Sequence, residues 1–372
     1  MIKYAVVGIG RMGHIHAMNL YSSMVDGATL VAVCDIDDNK LKRFKLSAPE
    51  VLTFGNYKEL IAIDIDAVIV ATPHYQHGEI TRYFLENNIS VLSEKPQCVS
   101  ITESKLINEC AEKSGALYGI MYNQRTNPVY ARAKEIISSG LLGDIRRVEM
   151  VVTHWYRSQF YYNQGGWRAS WRGEGGGILI NQCVHQLDIL QWLVGMPKSI
   201  RAKCKTVNRS ISVENDVTAV LEYDNGAMGV FVASGHELSG TNRLEIAGSN
   251  GKIVIDDFNL KFIQYAHSEV EVNACVTAGY DEVETTVERI SYSGEYRDRD
   301  EKYGQQLRVV EAFTNALSEG SQLIADGKEG INALTIINGI YLSNYINQSV
   351  EIPFDSNQYD QVLTKLKKGE EK

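Results

Sequence analysis

Cysteine is sparse and scattered. The six residues (Cys34, Cys98, Cys110, Cys183, Cys204 and Cys275) include no CxxC spacing, which argues against a disulfide framework and a thiolate zinc site and fits a reducing compartment. No apolar run reaches the roughly 18 residues that a membrane-spanning helix needs, and no basic-plus-apolar leader opens the chain. Cations are the minority: 37 Lys and Arg against 46 Asp and Glu give a net charge of −9 and a pI near 5.5, which speaks against a nucleic-acid-binding surface. Internal repeats and low-complexity tracts are missing too. A soluble, cytoplasmic protein is expected. Its 372 residues, 44% hydrophobic and 22% charged, suit two domains better than one core.

Short β-branched runs alternate with helical stretches through the first third. Ile2–Gly8, Thr29–Cys34, Val51–Phe54, Ala67–Ala71, Ser90–Ser93 and Leu117–Tyr122 read as strands. Helices are expected from His14, around Asp38–Leu46, Tyr57–Ile61, Gly78–Asn87 and Ile101–Ser114. This alternation predicts βαβ units and a doubly wound parallel sheet. Near Pro128 the pattern changes. After a helix around Val129–Ser139, Ile145–Thr153 alternates like a half-buried strand, and glycine-broken strands run from Pro197 to about Ala278, with Asn225-Gly226 as a hairpin signal. Residues 279–304 read as a surface excursion, Glu311–Leu317 and Gly327–Asn347 as helical, and the final KLKKGEEK as a solvated tail. The expected fold is α/β: a Rossmann domain over 1–123, then an α+β domain over 124–372 with an open, mainly antiparallel sheet.

Gly8-Ile9-Gly10-Arg11-Met12-Gly13 follows the first strand and opens a helix, and Asp35 closes the second strand 22 positions beyond Gly13. In that context G-x-G-x-x-G is a dinucleotide site. Gly8 makes the tight turn, Gly10 admits a pyrophosphate, and Gly13 packs helix on strand, while the helix N-terminus offers free amides to the diphosphate. Asp35 accepts from ribose hydroxyls and repels a 2′-phosphate, so NAD is expected over NADP. Arg11 reaches a phosphate or is simply solvated. His14 and His16 are two apart and face different ways, so no metal site is expected there or elsewhere.

The stretch Gly173–Gly195 runs from glycines into a helical pattern. At about 100° per residue, Leu179, Cys183, Leu187, Leu190 and Val194 share an apolar arc, and Asn181, His185 and Asp188 share a polar stripe. Taken alone the stripe reads as a solvated face, with Gln182 and Gln186 alongside; next to a cofactor motif it reads as a source of proton transfer. Thr153–Gly173 is dense in Trp, Tyr and Arg, which suits a carbohydrate pocket with Trp155, Arg168 and Trp171 as contacts, or equally an aromatic core or interface.

Gly8–Gly13 with Asp35, Ala71-Thr72-Pro73 with His77, Glu94-Lys95-Pro96, Asn123-x-Arg125 and Gly175–Asp188 occur in this order, and together they resemble the glucose-fructose oxidoreductase/inositol dehydrogenase/MocA family over nearly the whole chain. The resemblance implies oxidation of a secondary hydroxyl of a sugar, inositol or derivative through nicotinamide, or the reverse. It implies that Lys95 bonds the reacting oxygen, that His185 transfers the proton, that Thr72, Pro73, His77 and Glu94 line the cofactor, and that Asn123 and Asn181 face substrate. It also implies a homodimer or homotetramer built on the second sheet. These roles agree with the chemistry: hydride removal from a carbinol needs a base for the hydroxyl proton and a positive group for the oxygen, and imidazole titrates near neutrality. One departure stands out. Where the family often has aspartate four residues before the histidine, this chain has Asn181, which shifts proton work onto His185 and Lys95. Two other functions stay open at this point: a glycosidase or lyase that retains NAD and works by oxidation and elimination, and a non-catalytic dinucleotide sensor.

Overall fold

The computed structural model describes residues 1–275, 283–292 and 303–370. The chain forms two compact units. One takes Met1–Thr126, Gly173–Gly175 and Lys302–Leu334; the other takes Asn127–Arg172, Gly176–Glu301 and Thr335–Lys372.

The first unit is built on β1 (Ile2–Val7), β2 (Ala28–Cys34), β3 (Leu52–Phe54), β4 (Ala67–Val70), β5 (Ser90–Ser93) and β6 (Tyr118–Ile120), with α1 (Arg11–Tyr21), α2 (Asp38–Ser47), α3 (His74–Glu86) and α4 (Ile101–Lys113) between them. The strands lie in the order β3-β2-β1-β4-β5-β6, all parallel. Every residue of β4 and β5 is buried, as an apolar run covered on both faces must be. Helix α3 begins four residues earlier than the sequence pattern suggested. Pro73 sits at its N-cap in an extended conformation, and the first turn buries His74 and His77 rather than apolar side chains, so periodicity did not register it.

The second unit contains α5 (Pro128–Ser138), β7 (Ile145–Val152), α6 (Gln159–Asn163), α7 (Ile178–Asn181), α8 (Val184–Val194), β8 (Ser199–Lys205), β9 (Asp216–Glu222), β10 (Met228–Ser234), β11 (Asn242–Gly248), β12 (Gly251–Asp256), β13 (Asn259–Tyr265), α9 (Glu269–Cys275), β14 (Thr285–Ser291) and β15 (Val350–Glu351). Nine strands form one sheet in the order β14-β13-β12-β11-β7-β10-β9-β8-β15. All neighbours are antiparallel except β7 and β10, which pair in parallel. Alternation along β9 buries Val217, Ala219 and Leu221 and exposes Thr218, Val220 and Glu222, the mark of a sheet with one face covered. Part of the stretch read as a surface excursion is strand β14; the remainder of 279–304 lies largely outside the described residues.

Three further helices follow: α10 (Gly304–Glu319), α11 (Gly330–Ile346) and α12 (Ser356–Gly369). Helix α10 belongs with the first sheet. Phe313 is fully buried over Gly119, where an added Cβ would stand 2.9 Å from its ring, and Tyr4 Oη meets Thr314 Oγ1 at 2.8 Å. This packing is why the first unit takes back part of the C-terminal third. Helix α12 occupies most of what read as a solvated tail; Tyr359, Val362 and Leu363 are its buried stripe. Among the described residues no helix is long and apolar enough to cross a membrane.

Candidate active site

The glycine loop is shaped by contact with β4. Gly8 has φ +86°, and a Cβ there would stand 2.7 Å from the Ala71 carbonyl oxygen; its amide donates to the Cys34 carbonyl at 2.7 Å. A Cβ on Gly13 would stand 1.8 Å from the Gly8 carbonyl oxygen, so helix α1 sits on the strand as closely as backbone allows. Gly10 differs: among the described residues nothing lies within 4 Å of where its Cβ would be. This glycine leaves open space, and α1 starts there without a side-chain cap. The first helical bond is His14 N–H to the Gly10 carbonyl, so the amides of Arg11, Met12 and Gly13 make no bond within the helix. Thr72 Oγ1, at the carboxyl end of β4, is buried with no partner among the described residues. An open loop, uncapped amides and an orphaned hydroxyl fit a dinucleotide diphosphate at the switch point between β1 and β4.

Asp35 does more than end a strand. One carboxylate oxygen accepts from Ile9 N–H at 2.9 Å and the other from Asp37 N–H at 2.9 Å, while Lys40 Nζ lies 3.2 Å away. The carboxylate thus braces the loop, and its remaining lone pairs suit ribose hydroxyls.

Lys95 leaves β5 two strands from β1, about 10 Å across the same sheet edge. Its backbone is held from both sides. Glu94 Oε2 accepts from Lys95 N–H at 3.2 Å, and Glu94 Oε1 lies 2.9 Å from His16 Nε2. His77 is fully enclosed, with Nδ1 2.7 Å from the Pro96 carbonyl and Nε2 2.6 Å from the Thr72 carbonyl. It ties the Thr72-Pro73 turn to the Lys95-Pro96 turn. Burial pushes its pKa below the ordinary histidine value, against the two carbonyls, which favour the charged ring. His16 and the bridging geometry of His77 carry no short-range sequence signal. Asn123 donates to Gln305 Oε1 at 3.1 Å and keeps a buried Oδ1 without a partner among the described residues.

In the second unit the helical stretch is broken. Helix α7 ends at Asn181, Cys183 N–H reaches back to the Ile178 carbonyl at 2.8 Å, and α8 begins at Val184. Asn181 and His185 are half-buried on either side of the break. Gln182, Gln186 and Asp188 are buried, so the stripe is not a solvated face; Asp188 accepts from Gln191 Nε2 at 2.9 Å. The glycines ahead of α7 serve the protein's own packing. A Cβ on Gly176 would stand 2.1 Å from Tyr341 Oη, and one on Gly177 1.9 Å from the Glu214 carbonyl. The buried Glu214 carboxyl accepts from Gly177 N–H and Leu179 N–H at 3.0 Å and from Tyr341 Oη at 3.0 Å. Burial raises its pKa to about 7 in spite of those donors.

Of the aromatic segment, Trp171 is an interior residue. It is buried, its Nε1 donates to the Ser212 carbonyl at 2.9 Å, and its ring meets Tyr341 edge-on at 5.0 Å, which argues against a place on the substrate face. Trp155 and Arg168 are half-buried.

Residues 2–122 match a family model described as an oxidoreductase family with an NAD-binding Rossmann fold, and residues 130–254 match the GFO/IDH/MocA C-terminal domain. The scyllo-inositol 2-dehydrogenase (NAD(+)) of Bacillus subtilis is 32% identical over 265 residues, 68% of this chain and 73% of that protein. The myo-inositol 2-dehydrogenase of Thermotoga maritima is 25% identical over 263 residues, 69% of this chain and 75% of that one. Among solved structures, the WlbA dehydrogenase of Chromobacterium violaceum in complex with NADH and UDP-GlcNAcA superimposes with a TM-score of 0.78 at 25% identity, covering 95% of this chain and 96% of that one. The chain belongs to the glucose-fructose oxidoreductase/inositol dehydrogenase/MocA family of NAD-dependent oxidoreductases.

Proposed function

We propose that this oxidoreductase oxidises a secondary hydroxyl of a sugar, an inositol or a related derivative, or reduces the corresponding ketone. The observation that carries the reading is the placement of Lys95 on the same sheet edge as the open Gly10 loop, with its backbone fixed through Glu94. The inositol dehydrogenases among its relatives support the substrate class. NAD, when bound, supplies the hydride acceptor. Lys95 Nζ bonds the hydroxyl oxygen and holds the charge that grows on it as the carbon–hydrogen bond breaks. His185 takes the hydroxyl proton and returns it in the reverse direction. Asn181 orients a hydroxyl or the imidazole and takes no proton. Asp35 holds the adenosine ribose, Ile9, Arg11 and Met12 line the diphosphate path with the three glycines, Thr72, Pro73 and His77 border the cofactor, and Asn123, Trp155 and Arg168 contact substrate. Val220, Met228 and Val230 are exposed on the open sheet face, which supports a homodimer or homotetramer formed there; light scattering on the eluting protein measures its mass.

The test of the reaction is NADH absorbance while inositols, neutral sugars, sugar acids and glycosides are offered with NAD. Absorbance that grows with one of these groups is the expected result. Silence across the panel, with NAD shown to bind, overturns the reading.

A further inference from the structure

From Met150 to Gly173 the chain contains no aspartate or glutamate, yet it carries Arg157, Arg168 and Arg172. In a protein of net charge −9, this is a cationic island along the chain, with the Glu370 carboxylate accepting from the Trp171 and Arg172 amides at its far end. Arg172 is committed at the surface, where its Nε donates to the Lys367 carbonyl at 2.8 Å. Arg157 and Arg168 are half-buried. The Arg157 guanidinium lies 5.2 Å from the centre of the Trp155 ring and 4.8 Å from that of Tyr161. Arg168 lies 5.2 Å from Tyr161 and 4.7 Å from Trp167. Two guanidinium groups therefore share one tyrosine ring. Stacking on the two ring faces holds the Arg157 guanidinium in place without supplying a negative charge.

Arg157 in particular lacks a counter-charge: among the described residues no carboxylate pairs with it. One Nη donates to the Tyr156 carbonyl at 3.0 Å, and its Nε is buried without an acceptor. An incoming oxyanion that meets the Nη groups would supply the missing counter-charge, and a guanidinium fork matches the spacing of carboxylate or phosphate oxygens. The island is also joined to the segment assigned to proton transfer. Tyr161 Oη is 2.9 Å from Arg168 Nη1 and 3.2 Å from Gln182 Nε2, and Gln182 directly follows Asn181 in the break before His185.

We infer that Arg157, with Arg168 beside it, forms an oxyanion subsite, and that the substrate is an anionic sugar carrying a carboxylate or a phosphate rather than a neutral one. This rests on reading the Asn181–His185 segment as part of the substrate site. Neutral polyols, such as those named for the inositol dehydrogenases among the relatives, can accept from an Arg157 N–H but would leave its charge without a counter-ion.

The test is calorimetric titration of the full-length, NADH-loaded protein with glucuronate, glucose 6-phosphate and glucose. One anionic sugar is expected to bind about tenfold or more tightly than glucose; glucuronate in that place identifies the carboxylate, glucose 6-phosphate the phosphate. Arg157→Gln is expected to abolish this preference and leave glucose binding within about twofold. Should Arg157→Gln fail to fold, Arg157→Lys, which keeps the charge but loses the fork, is expected to weaken the anionic sugar by about threefold or more. Equal binding of all three sugars, no binding of either anionic sugar, or a preference that survives substitution at Arg157 overturns the inference. NADH absorbance with the same sugars separates it from the proposed reaction. Unselective oxidation of glucose removes the subsite and keeps the dehydrogenase, whereas Arg157-dependent binding without hydride transfer does the reverse.

Discussion

His16 Nε2 lies 2.9 Å from Glu94 Oε1, and both side chains are buried. The pair joins helix α1, which follows the glycine loop, to the turn that carries Lys95, because the second Glu94 oxygen accepts from the Lys95 amide. One carboxylate thus links the cofactor loop to the residue proposed to touch the reacting oxygen. Glu94→Ala would leave a buried imidazole and a backbone amide without their acceptor, at a cost of about 1–3 kcal/mol. Glu94→Gln keeps one acceptor oxygen and should lose less. Urea unfolding midpoints of the two variants measure the difference; equal midpoints would show that the link does not hold the turn.

In the proposed reaction Lys95 holds the oxygen charge and His185 moves the proton. Lys95→Ala and His185→Ala should each lower turnover by roughly two to four orders of magnitude. NAD affinity should change little, since the Gly8–Gly13 loop and Asp35 are untouched. Steady-state rates read the first effect and quenching of tryptophan fluorescence by NAD the second. Near-normal turnover in either variant would remove its assigned role.

The dinucleotide loop was legible because its signal is local. Three glycines, a preceding apolar run and Asp35 at the next strand end are all set by short-range geometry, and the loop adopts the conformation they require. What escaped was long-range. His16 and Glu94 are 78 residues apart, and Phe313 covers Gly119 from a helix near the other end of the chain. The break at Gln182–Cys183 involves neither glycine nor proline, so periodicity ran straight through it. Glu214 beneath Gly177 has the same character: nothing near either residue announces the pairing. Helix α12 is another matter, since Tyr359, Val362 and Leu363 follow helical spacing, and the signal was masked by the surrounding charge.

Asp35 braces the glycine loop, and substitution separates that task from the cofactor selection proposed for it. Asp35→Asn keeps one acceptor oxygen for Ile9 N–H and gives up the one for Asp37 N–H; it also removes the charge that would repel a 2′-phosphate and frees Lys40, now 3.2 Å from the carboxylate. NAD affinity should fall by about threefold to thirtyfold, and the preference over NADP should shrink by more than that. Titrations of both cofactors against the wild type and the variant check this. An unchanged ratio of the two affinities would assign Asp35 to loop bracing alone.

Glu214 makes the stability of the second unit depend on pH in a definite direction. Burial raises its carboxyl from the ordinary value near 4.5 to about 7, so the folded chain keeps its proton over a range where the unfolded chain has lost it. Below about 4.5 the group is neutral in both states and costs nothing extra. As pH rises from there to about 7, only the unfolded chain ionises and stability falls; above that the folded carboxyl ionises too, and the loss, about 3 kcal/mol at most, is complete. Glu214→Gln keeps an oxygen for Gly177, Leu179 and Tyr341 and has no proton to lose. Its unfolding midpoint should therefore be flatter than the wild type's from pH 5 to 7 and should overtake it, or close the gap, towards pH 8. Parallel curves across that range would mean that the carboxyl is ionised throughout and that the three donors, rather than burial, set its charge.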